Sequence, residues 1–335
     1  MPQRRVVPAW DRQQPEMGAH VLFWLTSFAL LALCAGGWAE RTHAEHGEPG
    51  LPHAQADESR TSTLRFDVPA RPDVRLGAEP EQAIAMWSTP ASPDEKLPVV
   101  IAFHGRGESA LGPARGYAAW VELYGLNKAY TALLGGPLTR AAFGGLVRDA
   151  ELVALNGELR ARAFQGVVTV GVYTPDLLAE VGKPEKIARY ATWVARQLVP
   201  AVQHKVAIAS RVPRQVGVDG VSLGGMVALE VGLRFPDVFA AVGTMQPAVR
   251  GRESQLADLA ELARSTQQRQ VLRLLSSDAD PLLPVTQELS LELRKRRIAH
   301  QLVVTPGGHD YAFNRGPGAI ELLYFHDRAL RGLPE

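Results

Sequence analysis

One serine in the sequence has the neighbours that a catalytic nucleophile requires. Residues 220–224 read Gly-Val-Ser-Leu-Gly and match the pattern G-x-S-x-G, with Ser222 at the centre. An apolar run typical of a strand, 215–221, precedes the serine, and apolar spacing typical of a helix continues over 224–234. A sharp turn from strand to helix projects a serine hydroxyl at the carboxyl edge of a sheet. The sequence therefore predicts Ser222 as a nucleophile.

A serine hydroxyl is weakly nucleophilic at neutral pH, so it needs a general base and a group that orients that base. His309 follows two glycines on a loop after the last predicted strand, and it is the predicted base. The orienting acid is expected between these two positions, after another strand. Asp278 and Asp280 both stand there. We predict Asp280, since Pro281 favours an extended backbone before it, and Asp278 remains the alternative, with helix capping or turn formation as its structural role.

An acyl-transfer site also needs two N–H donors for the oxyanion that develops on the substrate. One is expected from Leu223, the residue after the nucleophile. The other is expected from the loop 104–107, His-Gly-Arg-Gly, which follows the apolar run 97–103. We predict Arg106 N–H as this second donor, and we expect His104 to brace the loop by hydrogen bonding rather than to act as a second base.

The rest of the chain alternates strands with helices, a pattern that favours a mostly parallel sheet with helices on both faces. Predicted strands occupy 97–103, 164–173, 215–221, 239–245, 270–275 and 301–304, and predicted helices 187–204, 224–234, 285–296 and 319–330. Antiparallel edge strands are expected at 63–68 and 82–88. The body 63–335 is thus predicted as one catalytic domain.

A long insertion interrupts this alternation between Gly107 and Arg162, where a single crossover helix would suffice. We expect it to be helical and to form a lid or the wall of an acyl pocket. Its aromatic residues are Tyr117, Trp120, Tyr124, Tyr130 and Phe143. The alternative is that these side chains only pack the insertion.

The N-terminal residues 1–39 are predicted to be a signal peptide. An uncharged apolar run, Val21 to Gly37, follows three arginines, and its apolar core of about 15 residues is short for a membrane span of about 20. A cut after Ala39 has small residues at the expected positions. Lipidation at Cys34 and an uncleaved membrane anchor remain alternatives, and Met17 is a second candidate start. Residues 40–62 are predicted to be a linker. The protein is predicted to be secreted or periplasmic.

Composition excludes several partners. Lys+Arg 36 against Asp+Glu 35 leaves a formal net charge of +1, without a basic stripe, so nucleic acid is not expected as a partner. Cys34 is the one cysteine and the nine histidines are scattered, so neither a metal site nor any cofactor is predicted. Membrane contact is expected only through the N-terminal segment if it is retained, and the oligomeric state is left open.

Four blocks of the sequence resemble the esterases of the α/β-hydrolase fold, in particular the esterase and carboxylesterase/phospholipase-like groups. They read FHGRG, DGVSLGGMVALEVGLRFPDVFAAVG, SSDADPLLP and PGGHDYAF. The resemblance implies the α/β-hydrolase fold with an insertion after the oxyanion loop, Ser222, Asp280 and His309 as the triad, and Arg106 and Leu223 as oxyanion donors. Arg106 departs from the family, in which many members have glycine or an apolar residue there, and so does the long insertion.

The predicted function is an exported serine hydrolase that cleaves carboxylic esters through an acyl-enzyme, acting on a small-molecule or lipid-like ester. A serine peptidase and an acyltransferase use the same residues, and both remain alternatives. A non-catalytic binding module on the same fold is a third alternative, from a different class. The presence of serine, aspartate, histidine and a glycine-rich loop together favours an enzyme.

Overall fold

Eight strands form one sheet in the computed structural model, which describes residues 60–71, 81–89, 94–179, 183–266 and 268–332. The predicted signal peptide and nearly all of the predicted linker lie outside these residues. The strands are β1 (Thr61–Asp67), β2 (Gln82–Ser88), β3 (Val99–Phe103), β4 (Val168–Val172), β5 (Val216–Gly220), β6 (Ala241–Met245), β7 (Val271–Ser277) and β8 (Gln301–Thr305). Their order across the sheet is β1-β2-β4-β3-β5-β6-β7-β8.

Strand direction divides the sheet into a short antiparallel edge and a parallel body. β2 runs antiparallel to both β1 and β4, and the six strands from β3 to β8 run parallel to one another. The predicted mostly parallel sheet is confirmed, and the two segments expected at its edge form the antiparallel pair. Because parallel strands end at one edge, the loops after β3, β5, β6, β7 and β8 meet there.

Twelve helices occur among the described residues. They are α1 (Arg106–Ser109), α2 (Pro113–Gly116), α3 (Ala119–Glu122), α4 (Leu126–Leu134), α5 (Asp149–Ala161), α6 (Pro184–Trp193), α7 (Val199–Lys205), α8 (Leu223–Arg234), α9 (Glu253–Ser265), α10 (Leu283–Lys295), α11 (Tyr311–Phe313) and α12 (Ala319–Ala329). A π turn, Val194–Leu198, joins α6 to α7, and another, Asn314–Gly318, joins α11 to α12.

Alternating strand residues supply two apolar cores, one on each face of the sheet. Val99, Ile101 and Phe103 of β3 pack with α6 to α10 in the first core, whereas Val100 and Ala102 pack with α3, α4 and α12 in the second. All five residues are fully buried. Both faces are covered by helices, which is why β3 is a continuous apolar run in the sequence.

The insertion after β3 is helical, and its aromatic residues are buried. α2 to α5 lie within it and α1 overlaps its first residues, with a 3₁₀ turn at Arg140–Phe143. Trp120 is 1% exposed and its Nε1 donates to the carbonyl of Phe103 at 3.1 Å. All five aromatic side chains of the insertion are at most 4% exposed.

One long helix was absent from the sequence-based prediction, as was the three-residue helix α11. α9 lies between β6 and β7, and its buried residues Leu256, Ala257, Ala260 and Ala263 have helical spacing. Three of these four residues are alanines, whose weak hydrophobicity makes the helical pattern of α9 hard to detect in the sequence. In the described part of the chain, no helix is long and apolar enough to span a membrane.

Candidate active site

Ser222 lies at the turn between β5 and α8, in a backbone conformation that few non-glycine residues adopt. Its φ is 58° and its ψ is −115°. Neighbouring strands hold the turn: the N–H of Ser222 donates to Met245 O at 3.0 Å, and that of Val221 to Phe103 O at 3.3 Å. Strained backbone of this kind persists where the surroundings fix it, and it is concentrated at functional sites.

The glycines of the G-x-S-x-G pattern are required by close packing at this turn. A Cβ on Gly220 would lie 2.3 Å from Gly224 O, and one on Gly224 would lie 2.4 Å from Phe103 O. Both distances are far below van der Waals contact. The start of α8 therefore lies directly against the end of β3, which brings the loop with Arg106 beside the nucleophile.

His309 and Asp280 are joined by a hydrogen bond between the loops after β8 and β7. His309 Nδ1 lies 3.0 Å from Asp280 Oδ1. A carboxylate can only accept, so the contact selects, for the neutral ring, the tautomer with the proton on Nδ1 and the lone pair on Nε2. This tautomer is the one that a general base needs when it takes a proton from a serine hydroxyl.

Asp280 is buried, and polar groups satisfy both of its carboxylate oxygens. Oδ2 accepts from Ser276 Oγ at 2.7 Å, and Oδ1 also accepts from Leu282 N at 2.9 Å. Burial by itself would raise the pKa of Asp280, but the hydrogen bonds from His309, Ser276 and the Leu282 N–H outweigh it and hold the pKa below its ordinary value. Asp280 is thus an anion well suited to orienting His309.

Asp278, the alternative acid, faces away from His309. Its Oδ2 pairs with Arg148 Nη2 at 3.0 Å, and its Oδ1 accepts the N–H of Gly307 at 3.2 Å. Its side chain is half exposed. These contacts are those of a residue that shapes a turn.

The two predicted oxyanion donors are each the first residue of a helix. Leu223 begins α8 and Arg106 begins α1, and the N–H of a first helical residue has no acceptor within its own helix. The side chain of Arg106 is directed outward, where Nε donates to Asp176 Oδ2 at 2.8 Å. Its backbone N–H is thus the group of Arg106 that the prediction concerns.

His104 fixes the peptide unit that carries the Arg106 N–H. The ring is 1% exposed, and Nδ1 lies 2.8 Å from Gly105 O while Nε2 accepts the Thr174 N–H at 2.9 Å. Burial lowers the pKa of His104, so the ring is neutral and donates through Nδ1. In a trans peptide the C=O and N–H point in opposite directions, so holding Gly105 C=O aims the Arg106 N–H the other way.

Sequence reasoning did not find Gln246, which supports the histidine loop. Gln246 follows β6 with a φ of 46° and is fully buried. Its Nε2 donates to Ser277 Oγ and to Gly308 O, both at 2.7 Å. The signal in the sequence is a polar residue directly after a buried strand, and that strand neighbours the one that leads to Ser222.

The structure brings the predicted residues to one edge of the sheet but leaves one contact open. Among the hydrogen bonds of the described residues, none joins Ser222 Oγ to His309. In enzymes without substrate this contact is often long and tightens in the complex.

Comparisons with known proteins bear on the fold and on the family of this chain. The Esterase family model matches residues 178–281, which include Ser222 and Asp280. No curated protein matches the sequence. Among solved structures, a ferulic acid esterase aligns with a TM-score of 0.52 and 15% identity, over 81% of this chain and 99% of its own.

Two further solved structures are similar over most of their length. The structure of an FAE has a TM-score of 0.52 and 10% identity, over 85% of this chain and 97% of its own. An S-formylglutathione hydrolase from Staphylococcus aureus has a TM-score of 0.47 and 11% identity, over 80% of this chain and 96% of its own. The sheet order and the first two alignments show the α/β-hydrolase fold. Together with this fold, the match of residues 178–281 to the Esterase family model supports a carboxylic ester hydrolase.

Proposed function

We propose that this esterase works through an acyl-enzyme, with Ser222 as nucleophile, His309 as general base and Asp280 as the group that orients His309. One observation carries the proposal: a serine at a strained strand-to-helix turn shares a sheet edge with a histidine whose tautomer a buried aspartate fixes. A lone G-x-S-x-G pattern would be weak support. A site in which the base already has its orienting partner is much stronger support.

The proposed reaction has two halves. Ser222 Oγ attacks the ester carbonyl while His309 Nε2 takes the proton of the serine hydroxyl. The oxyanion that forms accepts hydrogen bonds from the backbone N–H groups of Arg106 and Leu223. The C–O bond to the alcohol then breaks, and His309 returns the proton to the leaving oxygen. Water, deprotonated by His309, next attacks the acyl carbon, releases the carboxylic acid and restores Ser222.

Substrate and location are part of the same proposal. The substrate is a small-molecule or lipid-like ester, and water is the acceptor of the acyl group. The chain is exported by residues 1–39, and a mature N-terminus near Glu40 is expected by mass spectrometry of protein from its native host. An intact N-terminus on cytoplasmic protein would contradict export, and a lipid on Cys34 would favour the lipoprotein alternative.

The mechanism is tested with Ser222→Ala on a series of p-nitrophenyl esters and with a fluorophosphonate probe, which labels only an activated serine. Loss of a triad member lowers turnover by about 10⁴–10⁶-fold. Ser265→Ala is the matched control, since Ser265 Oγ donates to Leu262 O at the end of α9 and has no place in the site. Near-normal turnover or labelling of Ser222→Ala would overturn the proposal. Faster acyl transfer to an added alcohol than to water would favour an acyltransferase.

A further inference from the structure

A buried carboxylate lies between the loop that carries Arg106 and the loop that carries His309. Glu108 is 4% exposed, although it stands in the short helix α1 at the molecular edge where the site lies. Its Oε2 accepts the hydroxyl of Tyr124 at 2.5 Å, and its Oε1 accepts that of Tyr311 at 2.5 Å. Both carboxylate oxygens therefore have a charge-assisted hydrogen bond.

Tyr124 connects this carboxylate to the oxyanion loop. Its hydroxyl oxygen accepts the N–H of Gly105 at 3.1 Å while its proton goes to Glu108. Burial, followed by the charge of Glu108, raises the pKa of Tyr124, so the hydroxyl keeps its proton. Gly105 is thus held at both ends: its N–H by Tyr124 and its C=O by His104.

Tyr311 connects the same carboxylate to the histidine loop. It stands two residues after His309, at the first position of α11, and it is 45% exposed. The hydrogen bond to Glu108, followed by burial, raises the pKa of Tyr311 to about 12. Its hydroxyl therefore donates to Glu108 throughout the neutral range, even though part of the ring contacts solvent.

We propose that Glu108 is a positioning residue that joins the oxyanion loop to the histidine loop through Tyr124 and Tyr311. The inference rests on the proposed function, because it assigns Glu108 a role in the geometry of that reaction. The two loops follow β3 and β8, which lie four places apart in the sheet. Among the described strands, β3 and β8 do not pair directly, and the side chains of Tyr124, Glu108 and Tyr311 form a direct connection between the loops that follow them.

Replacement of Glu108 by glutamine would keep the shape of the side chain and leave one acceptor oxygen where the carboxylate has two. One hydroxyl could still donate to the amide oxygen, but the other would face an N–H₂ group, which is also a donor. One of the two loops would then lose its anchor. A displacement of about 1 Å in catalytic geometry costs roughly 10²-fold in rate, and a lost oxyanion donor costs about 10²–10³-fold.

The test compares Glu108→Gln, Tyr311→Phe and the double variant with wild type. Tyr324→Phe is the matched control, since its hydroxyl also donates to a glutamate, Glu158, but between α12 and α5. Three quantities are measured: kcat/KM on a p-nitrophenyl ester, the inhibition constant of a trifluoromethyl ketone, and Tm. The ketone forms an oxyanion on the serine, so its affinity reports the donor geometry, which a loss of folded protein alone would not change.

We expect Glu108→Gln to lower kcat/KM by about 10²-fold and to raise the inhibition constant of the trifluoromethyl ketone by a similar factor. Tyr311→Phe should act in the same direction by about 10-fold, and the double variant should be no worse than Glu108→Gln, because both changes break one connection. Tyr324→Phe should leave both quantities unchanged. If Glu108→Gln does not fold, Tyr311→Phe, at a half-exposed site, decides.

Wild-type ketone affinity in folded Glu108→Gln and Tyr311→Phe would overturn the inference. So would a double variant whose loss equals the product of the two single losses. Ser222→Ala is measured in parallel to separate this result from the proposed mechanism. If Ser222→Ala remains active, the mechanism itself fails. If Ser222→Ala is inactive while Glu108→Gln and Tyr311→Phe match wild type, only the role of Glu108 fails.

Discussion

His309 Nδ1 lies 3.0 Å from Asp280 Oδ1, while Asp278, two residues earlier in the same loop, pairs with Arg148 on the outside of the turn. The two aspartates differ in burial as well as in the direction of their side chains: Asp280 is buried and Asp278 is half exposed. Only the buried aspartate can hold a histidine tautomer without competition from water.

Asp280→Asn is expected to lower kcat by roughly 10³–10⁴-fold, because an amide can donate to Nδ1 and so favours the wrong tautomer. Asp278→Asn should lower kcat far less and reduce the free energy of unfolding by about 1 kcal/mol, since it weakens a turn hydrogen bond and an exposed ion pair. Steady-state kinetics on one activated ester, with urea unfolding of both variants, check the expectation. An inactive Asp278→Asn beside an active Asp280→Asn would reverse the assignment.

The oxyanion loop offers a finer prediction at His104. Asparagine can place an N–H₂ group near the position of Nδ1 and keep the bond to Gly105 O, whereas glutamine reaches toward the position of Nε2 and keeps only an acceptor for Thr174 N–H. His104→Asn should therefore retain much more kcat than His104→Gln, by about 10-fold or more, since a misaligned oxyanion donor is costly. Both substitutions remove one buried contact, so their Tm values should be similar. Equal kcat in the two variants would show that the Gly105 contact does not aim the Arg106 N–H.

Much of this architecture follows from periodicity in the sequence, and the rest depends on contacts between distant segments. Continuous apolar runs such as 99–103 predict buried strands because both faces of the sheet are covered. The elbow at Ser222 is encoded locally, by two glycines whose neighbours leave no room for a Cβ. Gln246 and Glu108 could not be predicted in the same way, since their partners stand 62 and 203 residues away at Gly308 and Tyr311.

The insertion provides a prediction that separates packing from substrate recognition. Trp120 is 1% exposed and contacts the ring of Tyr124 edge-on, with ring centroids 5.0 Å apart. Trp120→Ala should lower the free energy of unfolding by about 3–5 kcal/mol through the cavity it leaves. It should not change the order in which the folded enzyme prefers esters of different chain length. Trp120→Phe, which keeps most of the ring, should lose much less stability. A changed order at unchanged stability would instead make the insertion a wall of the acyl pocket.

Asp219, on the strand that leads to Ser222, lies in a buried cluster of charged and titratable side chains. Asp219 Oδ2 accepts from His326 Nε2 at 3.0 Å and from Arg273 Nη2 at 3.1 Å, and all three side chains are at most 1% exposed. Arg273 Nη1 also lies 3.5 Å from Glu321 Oε2. Burial, with Arg273 nearby, lowers the pKa of His326 below its ordinary value of 6.5, against the opposing effect of Asp219. Protonation would place a second buried cation beside Arg273.

The sign of the pH effect follows from that lowered pKa. Between the pKa of folded His326 and about 6.5, the unfolded chain binds more protons than the native chain, so the free energy of unfolding rises with pH in this window. It should be level above about pH 7 and fall on acidification by up to about 1.4 kcal/mol per pH unit for each such histidine. Urea unfolding at pH 5, 6, 7 and 8 measures the profile.

His326→Gln isolates the contribution of this residue. The amide can still donate to Asp219 but does not titrate, so the variant should lose less stability than wild type between pH 7 and pH 5, whatever its stability at pH 7. His204→Gln is the control, because His204 is exposed near the end of α7 and its removal should leave the slope of wild type unchanged. The free energy of unfolding could instead depend on pH with equal slope in His326→Gln and wild type. That result would mean that His326 keeps one protonation state across this range, and that titration of His326 does not affect the stability of the cluster.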